Sequence, residues 1–169
     1  MILYHGGLDA VATPRIMERA SYRPLDFGTG FYATSSRDQA VRWVRNRLDY
    51  DVSAPHGYVN VYEFDEPGFA ASGLKRLDFD IGLVGADWLR FVMRNRTQHN
   101  PEHGYDLVTG PVANDRVYTV IVGYEAGFMD ERTAIRRMKT YRLANQFLFH
   151  TEAALRFLSF RNFKNLTAN

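Results

Sequence analysis

Apolar positions along the chain come in short bursts with two different periods. Ile2-Leu3-Tyr4-His5 predicts a brief first strand that Gly6-Gly7 ends. Thr13 before Pro14 has the pattern of a helix cap followed by the first helical position, which predicts a short helix over Arg15–Arg19. Asp26-Phe27-Gly28-Thr29-Gly30 is a glycine-punctuated turn, and Phe31-Tyr32-Ala33-Thr34 has strand chemistry. Ser35 or Ser36 then caps a helix carrying Ala40, Trp43, Val44 and Leu48 at helical spacing. Residues 58–64, rich in Val and Tyr, predict a strand, and Leu74–Phe79 predicts another. Leu89, Val92 and Met93 share one face of a predicted helix over Asp87–Arg96, and Tyr105–Thr109 is a predicted strand that Gly110-Pro111 ends.

Residues 115–126 admit two readings. The run of Val117, Thr119, Val120, Ile121 and Val122 favours a strand by propensity. A capping Asn114 or Asp115, a terminal Gly127, and Val117, Val120, Ile121 and Tyr124 at helical spacing favour a helix, which is the reading taken. Glu131–Tyr141 predicts a further helix, Gln146–Phe149 a strand, and Thr151 the cap of a last helix over Glu152–Leu158. Short strands irregularly interleaved with helices predict a mixed α+β fold. With 169 residues and no repeat or linker, residues 1–169 are expected to form one domain.

Composition narrows the chemistry. The absence of cysteine excludes disulfides, thiolate catalysis and zinc–thiolate or iron–sulfur sites. Neither a signal sequence nor a membrane-length apolar run is present, so a soluble cytoplasmic protein is expected. The net charge is +2, but from Arg132 onward eight Lys/Arg face the single acid Glu152, so that part is strongly basic. Such a segment suits an acidic partner, a nucleic acid or a phosphate-bearing ligand, although Arg132, Arg136, Arg137 and Lys139 also fit one solvated helix face. The chain contains no G-x-S-x-G, G-x-G-x-x-G or G-x-x-x-x-G-K-[ST] motif. His99 and His103 stand four apart as helix-borne metal ligands do, but Asn100-Pro101 breaks a helix there, so they are read as a solvated loop.

Two segments stand out. In Leu3-Tyr4-His5-Gly6, a strand-end imidazole can bond a sugar hydroxyl, and Gly6 lets a planar ligand approach the main chain. In Asp26–Ser36, the loop with Gly28 and Gly30 permits close approach, and the Tyr32 ring can stack on a flat heterocycle. Each has a bland alternative, a structural histidine and a core aromatic.

Together, His5-Gly6 followed by Phe27-Gly-x-Gly-Phe-Tyr32 resembles the ADP-ribosyltransferase superfamily, in its branch with poly(ADP-ribose) polymerases and diphtheria toxin. Most of residues 1–160 resembles a bacterial domain of unknown function assigned to that superfamily and commonly encoded beside a small antitoxin-like protein. That resemblance also rests on residues 105–115 and on Asn145-Gln146-Phe147-Leu148-Phe149. It implies a split β-sheet core with short surrounding helices, and NAD as substrate without a metal. It further implies that His5 bonds a ribose hydroxyl, that the Gly6 backbone holds the carboxamide, and that Tyr32 stacks on nicotinamide beside the Gly30 loop. Trp43, eleven residues after Tyr32, is either a second aromatic wall or a core residue. Gln146 stands where the superfamily has a glutamate. A glutamine can hydrogen-bond but supplies neither charge nor a general base, which argues against polymer extension. Glu152 is expected to assist the Thr151 cap, and Arg15, Arg23 and Arg37 are candidate pyrophosphate donors.

The activity that the resemblance implies is mono-ADP-ribosyl transfer by a toxin to a protein or nucleic-acid acceptor. The alternatives are an NAD-depleting glycohydrolase or phosphorylase, a catalytically silent module binding NAD or ADP-ribose, and an interaction protein whose basic segment holds a nucleic acid or an acidic antitoxin.

Overall fold

The architecture is that of a computed structural model describing residues 1–16, 25–80, 84–98, 101–113, 115–139 and 143–167. The elements run β1 (Ile2–Gly7), β2 (Phe31–Ala33), α1 (Arg37–Tyr50), β3 (His56–Phe64), α2 (Glu66–Ala71), β4 (Arg76–Asp78), α3 (Ala86–Thr97), β5 (Leu107–Pro111), α4 (Asp115–Glu125), α5 (Glu131–Met138), β6 (Asn145–Phe149), α6 (Glu152–Leu155) and β7 (Leu158–Thr167). The fold is mixed α+β. Two sheets form, one in the order β1-β3-β7 and one in the order β2-β6-β5-β4, antiparallel throughout except for the parallel pair β4–β5. Tyr4 and Thr34 join them by a reciprocal pair of backbone hydrogen bonds, 2.8 and 2.9 Å.

Side-chain alternation along each strand sorts the apolar residues into layers. Ala40, Val44 and Leu48 of α1, one turn apart, pack with Val59 on the outer face of the three-stranded sheet. The seam between the sheets is aromatic: Phe31, Tyr62, Phe64, Phe147 and Phe149 are buried there, with Phe64 edge-on to Phe149 at 5.3 Å between centroids. The opposite face of the four-stranded sheet carries Val108 and Leu148 against Trp88, Leu89 and Val92 of α3, Ile121 of α4, and Ala134 and Met138 of α5. The rings and aliphatic chains in these layers each contribute roughly 1.5–3 kcal/mol by leaving water.

Several local expectations are met. Ser36 caps α1, accepting from Gln39 N at 3.3 Å, and Thr151 caps α6, accepting from Ala154 N at 3.2 Å. Residues 115–125 are helical, with Gly127 at φ 75° beyond the last turn, so spacing outweighs the β-branched propensity. Arg132, Arg136, Arg137 and Lys139 are exposed on and just after α5.

Other expectations are corrected. β1 runs through Gly6-Gly7, opposite Val59 and Tyr58, instead of ending before them. β5 likewise contains Gly110-Pro111, because a Cβ at Gly110 would sit 2.9 Å from Phe79 Cβ and only a glycine fits beneath that ring. The strand expected over Leu74–Phe79 is confined to Arg76–Asp78. Pro14–Ile16 is irregular, and the rest of the helix expected over Arg15–Arg19 lies outside the described residues, as does the end of α5 expected at Tyr141. The largest correction is at the C-terminal end. The last helix stops at Leu155, and Leu158–Thr167 is a ten-residue strand along the whole of β3. A bulge hides this strand in the sequence. The register shifts between Val61 and Tyr62, leaving Arg161 unpaired, so Phe160 and Phe163 share one face although they stand three apart.

Candidate functional site

His5, Tyr32 and Gln146 lie on β1, β2 and β6, three strands that follow one another across the junction of the two sheets. His5 Nδ1 lies 2.7 Å from Tyr32 O, so the imidazole donates that proton to the carbonyl and Nε2 is its basic nitrogen. The His5 ring stacks on Phe31 at 4.6 Å, and burial lowers its pKa, opposed by the bond to Tyr32 O.

Tyr32 and Gln146 belong to the same face of the four-stranded sheet. Tyr32 pairs with Leu148, and Gln146 is two residues further along β6. That face is turned to α3 and α4, whereas Phe31, under the His5 ring, points into the seam. His5 therefore meets Tyr32 through its backbone, not ring to ring. The Tyr32 hydroxyl donates to Gly28 O at 2.7 Å and accepts from Phe27 N at 3.2 Å. Burial, then the neighbouring Asp26 carboxylate, pushes its pKa well above the usual phenol value.

The loop before β2 is held at three successive carbonyls. His103 Nε2 bonds Phe27 O at 3.0 Å, Tyr32 bonds Gly28 O, and His150 Nδ1 bonds Thr29 O at 2.6 Å. His103 Nδ1 also accepts from Tyr105 N at 3.2 Å, which requires the neutral ring with its proton on Nε2. Burial, then the adjacent His150 ring at 4.2 Å, lowers the His103 pKa to about 4. His103 is thus half-buried and structural instead of solvated as expected. Gly28 adopts φ 95°, and a Cβ there would approach Asn95 Oδ1 to 3.2 Å. That oxygen is buried without a hydrogen-bond partner.

Both candidate glycines are explained by packing. A Cβ at Gly6 would sit 2.5 Å from Ala40 O of α1, and one at Gly30 would sit 2.4 Å from Phe149 O. Their missing side chains admit the protein's own backbone. Trp43 is 58% exposed, while Ala40, Val44 and Leu48 take the buried positions of α1, so of its two readings the core one falls. Arg15 and Arg37 are exposed, and Arg23 lies outside the described residues. Glu152 begins α6 and accepts from Ile16 N at 2.8 Å, a structural role.

The residue that sequence reasoning missed is Asp26. Its Oδ1 takes two bonds from Arg96, at 2.6 Å from Nη2 and 3.1 Å from Nε, with both side chains only 12–13% exposed. Its Oδ2 accepts from Ala113 N at 3.3 Å and from Gln146 Nε2 at 3.4 Å. Gln146 Nε2 also donates to Pro111 O at 3.3 Å. Gln146, 8% exposed, is therefore bound to a carboxylate as well as to neighbouring backbone. No local signal foretells a contact spanning 120 positions.

A family model, that of the proteins of unknown function called DUF3990, matches residues 1–160. The chain belongs to that family. No curated protein and no solved structure matches it. Among the described residues no cluster of three or more His, Asp or Glu is placed to hold a metal. Nor is any helix there long and apolar enough to cross a membrane.

Proposed function

We propose that this protein cleaves NAD at its nicotinamide–ribose bond and transfers a single ADP-ribose to an acceptor. The reading begins in the resemblance of His5-Gly6, Phe27-Gly-x-Gly-Phe-Tyr32 and Gln146 to the ADP-ribosyltransferase superfamily, in a mixed α+β fold with two sheets. The observation that carries it is the 2.7 Å bond from His5 Nδ1 to Tyr32 O. It joins two motif segments 27 positions apart on adjoining strands, with Gln146 on the next strand.

In this reaction the C1′–N bond breaks and its electron pair stays on nicotinamide, which leaves neutral. The acceptor's lone pair forms the new bond to C1′, and the acceptor's proton passes to solvent. Nothing must protonate the leaving group, so the protein's part is positioning and stabilisation of the developing cation. His5 Nε2 serves as acceptor for a ribose hydroxyl, Trp43 offers an exposed ring for stacking, and Gln146 offers a neutral hydrogen-bonding group. A toxin that modifies a protein or nucleic acid, restrained by a small antitoxin, is the biological setting we infer from the family resemblance.

The test uses NAD labelled on its adenylate half, incubated with pure protein and a cell lysate, with free nicotinamide and macromolecule-bound label followed separately. Bound label removed by protease or nuclease is the expected result and names the acceptor class. Nicotinamide release without bound label would convert the reading to NAD depletion, and saturable NAD binding without release to a silent binding module. Absence of NAD binding would overturn it. His5→Ala and Trp43→Ala, each confirmed folded by thermal melting, should weaken whichever signal is found.

A further inference from the structure

The amide of Gln146 has two hydrogens, and its two hydrogen-bond partners among the described residues are pure acceptors: the Asp26 carboxylate at 3.4 Å and the Pro111 carbonyl at 3.3 Å. An amide carbonyl turned toward either would meet oxygen lone pairs with no proton between them. The NH2 group must therefore face Asp26 and Pro111, and Oε1 is the polar edge left for anything else. Asp26 is itself locked, since Arg96 binds its Oδ1 through two nitrogens and Ala113 N binds its Oδ2. Pro111 O is fixed by the strand and by Trp88 Nε1, which donates to it at 3.2 Å.

We propose that Asp26 is a positioning residue that turns Gln146 into a one-way hydrogen-bond acceptor, presenting Oε1 to a sugar hydroxyl of the substrate. The negative charge absent from position 146 stands one hydrogen bond behind it, on Asp26. A carboxylate polarises the amide it accepts from and makes the amide oxygen a stronger acceptor. The substrate in this proposal rests on the transferase reading. The orientation of the amide does not.

The arrangement makes an unusual demand. Restoring a glutamate by Gln146→Glu would set a second carboxylate against Asp26 and against the Pro111 carbonyl, three acceptors without a donor. It should therefore damage the site. Asp26→Asn should damage it too, by freeing Gln146 to turn its NH2 outward.

The experiment has two arms. In the first, without NAD, the 15N side-chain resonance of Gln146 is assigned by its loss in Gln146→Leu, and hydrogen exchange of its NH2 is measured. Slow exchange in the wild type that becomes fast in Asp26→Asn is expected. Fast exchange in the wild type, or no change in Asp26→Asn, would overturn the proposed orientation, and the wild-type half needs no variant to fold. In the second, kcat and KM for nicotinamide release are compared. Each single change should lower kcat at least tenfold with KM for NAD within about threefold. Higher activity in Gln146→Glu, or an unchanged kcat in Asp26→Asn, would overturn the positioning role. If the wild type neither binds nor cleaves NAD, the transferase reading fails while the exchange arm still decides the role of Asp26.

Discussion

The two faces of the four-stranded sheet are built on different terms, although alternate residues of the same two strands supply them. Toward the seam, β2 and β6 present Phe31, Ala33, Phe147 and Phe149, buried against the rings and aliphatic chains of the other sheet. Toward the helices, the same strands present Tyr32, Leu148 and Gln146, and the last of these joins a buried network with Asp26 and Arg96. The first face stabilises simply by leaving water. The second carries a desolvation cost that well-packed apolar residues would avoid, so the ion pair there is weak evidence for stability. That polar cluster lies on the two strands that carry Tyr32 and Gln146, whereas the His5 ring stacks on Phe31 toward the seam.

The sharpest way to break this comparison is to remove bulk from the apolar face. Phe149→Ala should cost roughly 3–5 kcal/mol, because it opens a cavity beneath Phe64 in a seam with little freedom to collapse. The shift in urea midpoint at unchanged slope measures it, and a loss below about 1 kcal/mol would mean the seam is not the main source of stability.

On the polar face, Asp26→Ala leaves the Arg96 guanidinium buried without its carboxylate, at a cost of about 3 kcal/mol, the low end for a broken buried pair because both groups keep some solvent. Adding Arg96→Met should recover at least half of that loss. The apolar face offers no comparable rescue by a second truncation, so a double-mutant cycle separates the two kinds of burial. A double variant no more stable than Asp26→Ala would show that the network does not behave as an ion pair.

A smaller effect concerns the loop between the faces. His103 is neutral in the fold, its pKa lowered from 6.5 to about 4, with His150, Glu102 and Arg94 as its charged or titrating neighbours. Between those values the unfolded chain binds more protons than the folded one. The contribution is therefore complete above pH 6.5 and is lost as pH falls toward 4. Thermal melts of the wild type should fall over that window, as burial of His5 also requires. His103→Gln, whose amide can still donate to Phe27 O and accept from Tyr105 N, should fall less steeply. Equal slopes would show that His103 titrates freely.

How far the sequence revealed these regions depends on the distance over which the information is stored. Helices α1, α3, α4 and α5 were legible because a period of 3.6 records which side is buried, and strands β2, β3 and β6 because aromatic and aliphatic residues gather there in short runs. β7 was not, since the bulge at Arg161 breaks its alternation and puts Phe160 and Phe163 at a helix-like spacing. Gly110-Pro111 looked like a strand end because its constraint, the Phe79 ring, lies elsewhere in the chain. At the candidate site, His5, Tyr32 and Gln146 could be named from local motifs. Asp26 could not, because its meaning comes from Arg96 and Gln146, 70 and 120 positions away.

Trp43 sharpens the comparison from outside both faces. It occupies a helical spacing shared with buried residues, yet it is 58% exposed while Val44 beside it is fully buried. An exposed ring contributes little to folding, so Trp43→Ala should change stability by no more than about 0.5 kcal/mol. If the ring stacks on nicotinamide, the same change should raise the Kd for NAD about tenfold or more, since aromatic contacts are worth on the order of 1 kcal/mol beyond the area they cover. Intrinsic fluorescence reads both properties, with Trp88, fully buried against β5, as the internal reporter that remains in the variant. A large stability loss would return Trp43 to a packing role. Unchanged stability with unchanged NAD affinity would remove the second aromatic wall and leave recognition of the ring to the strands alone.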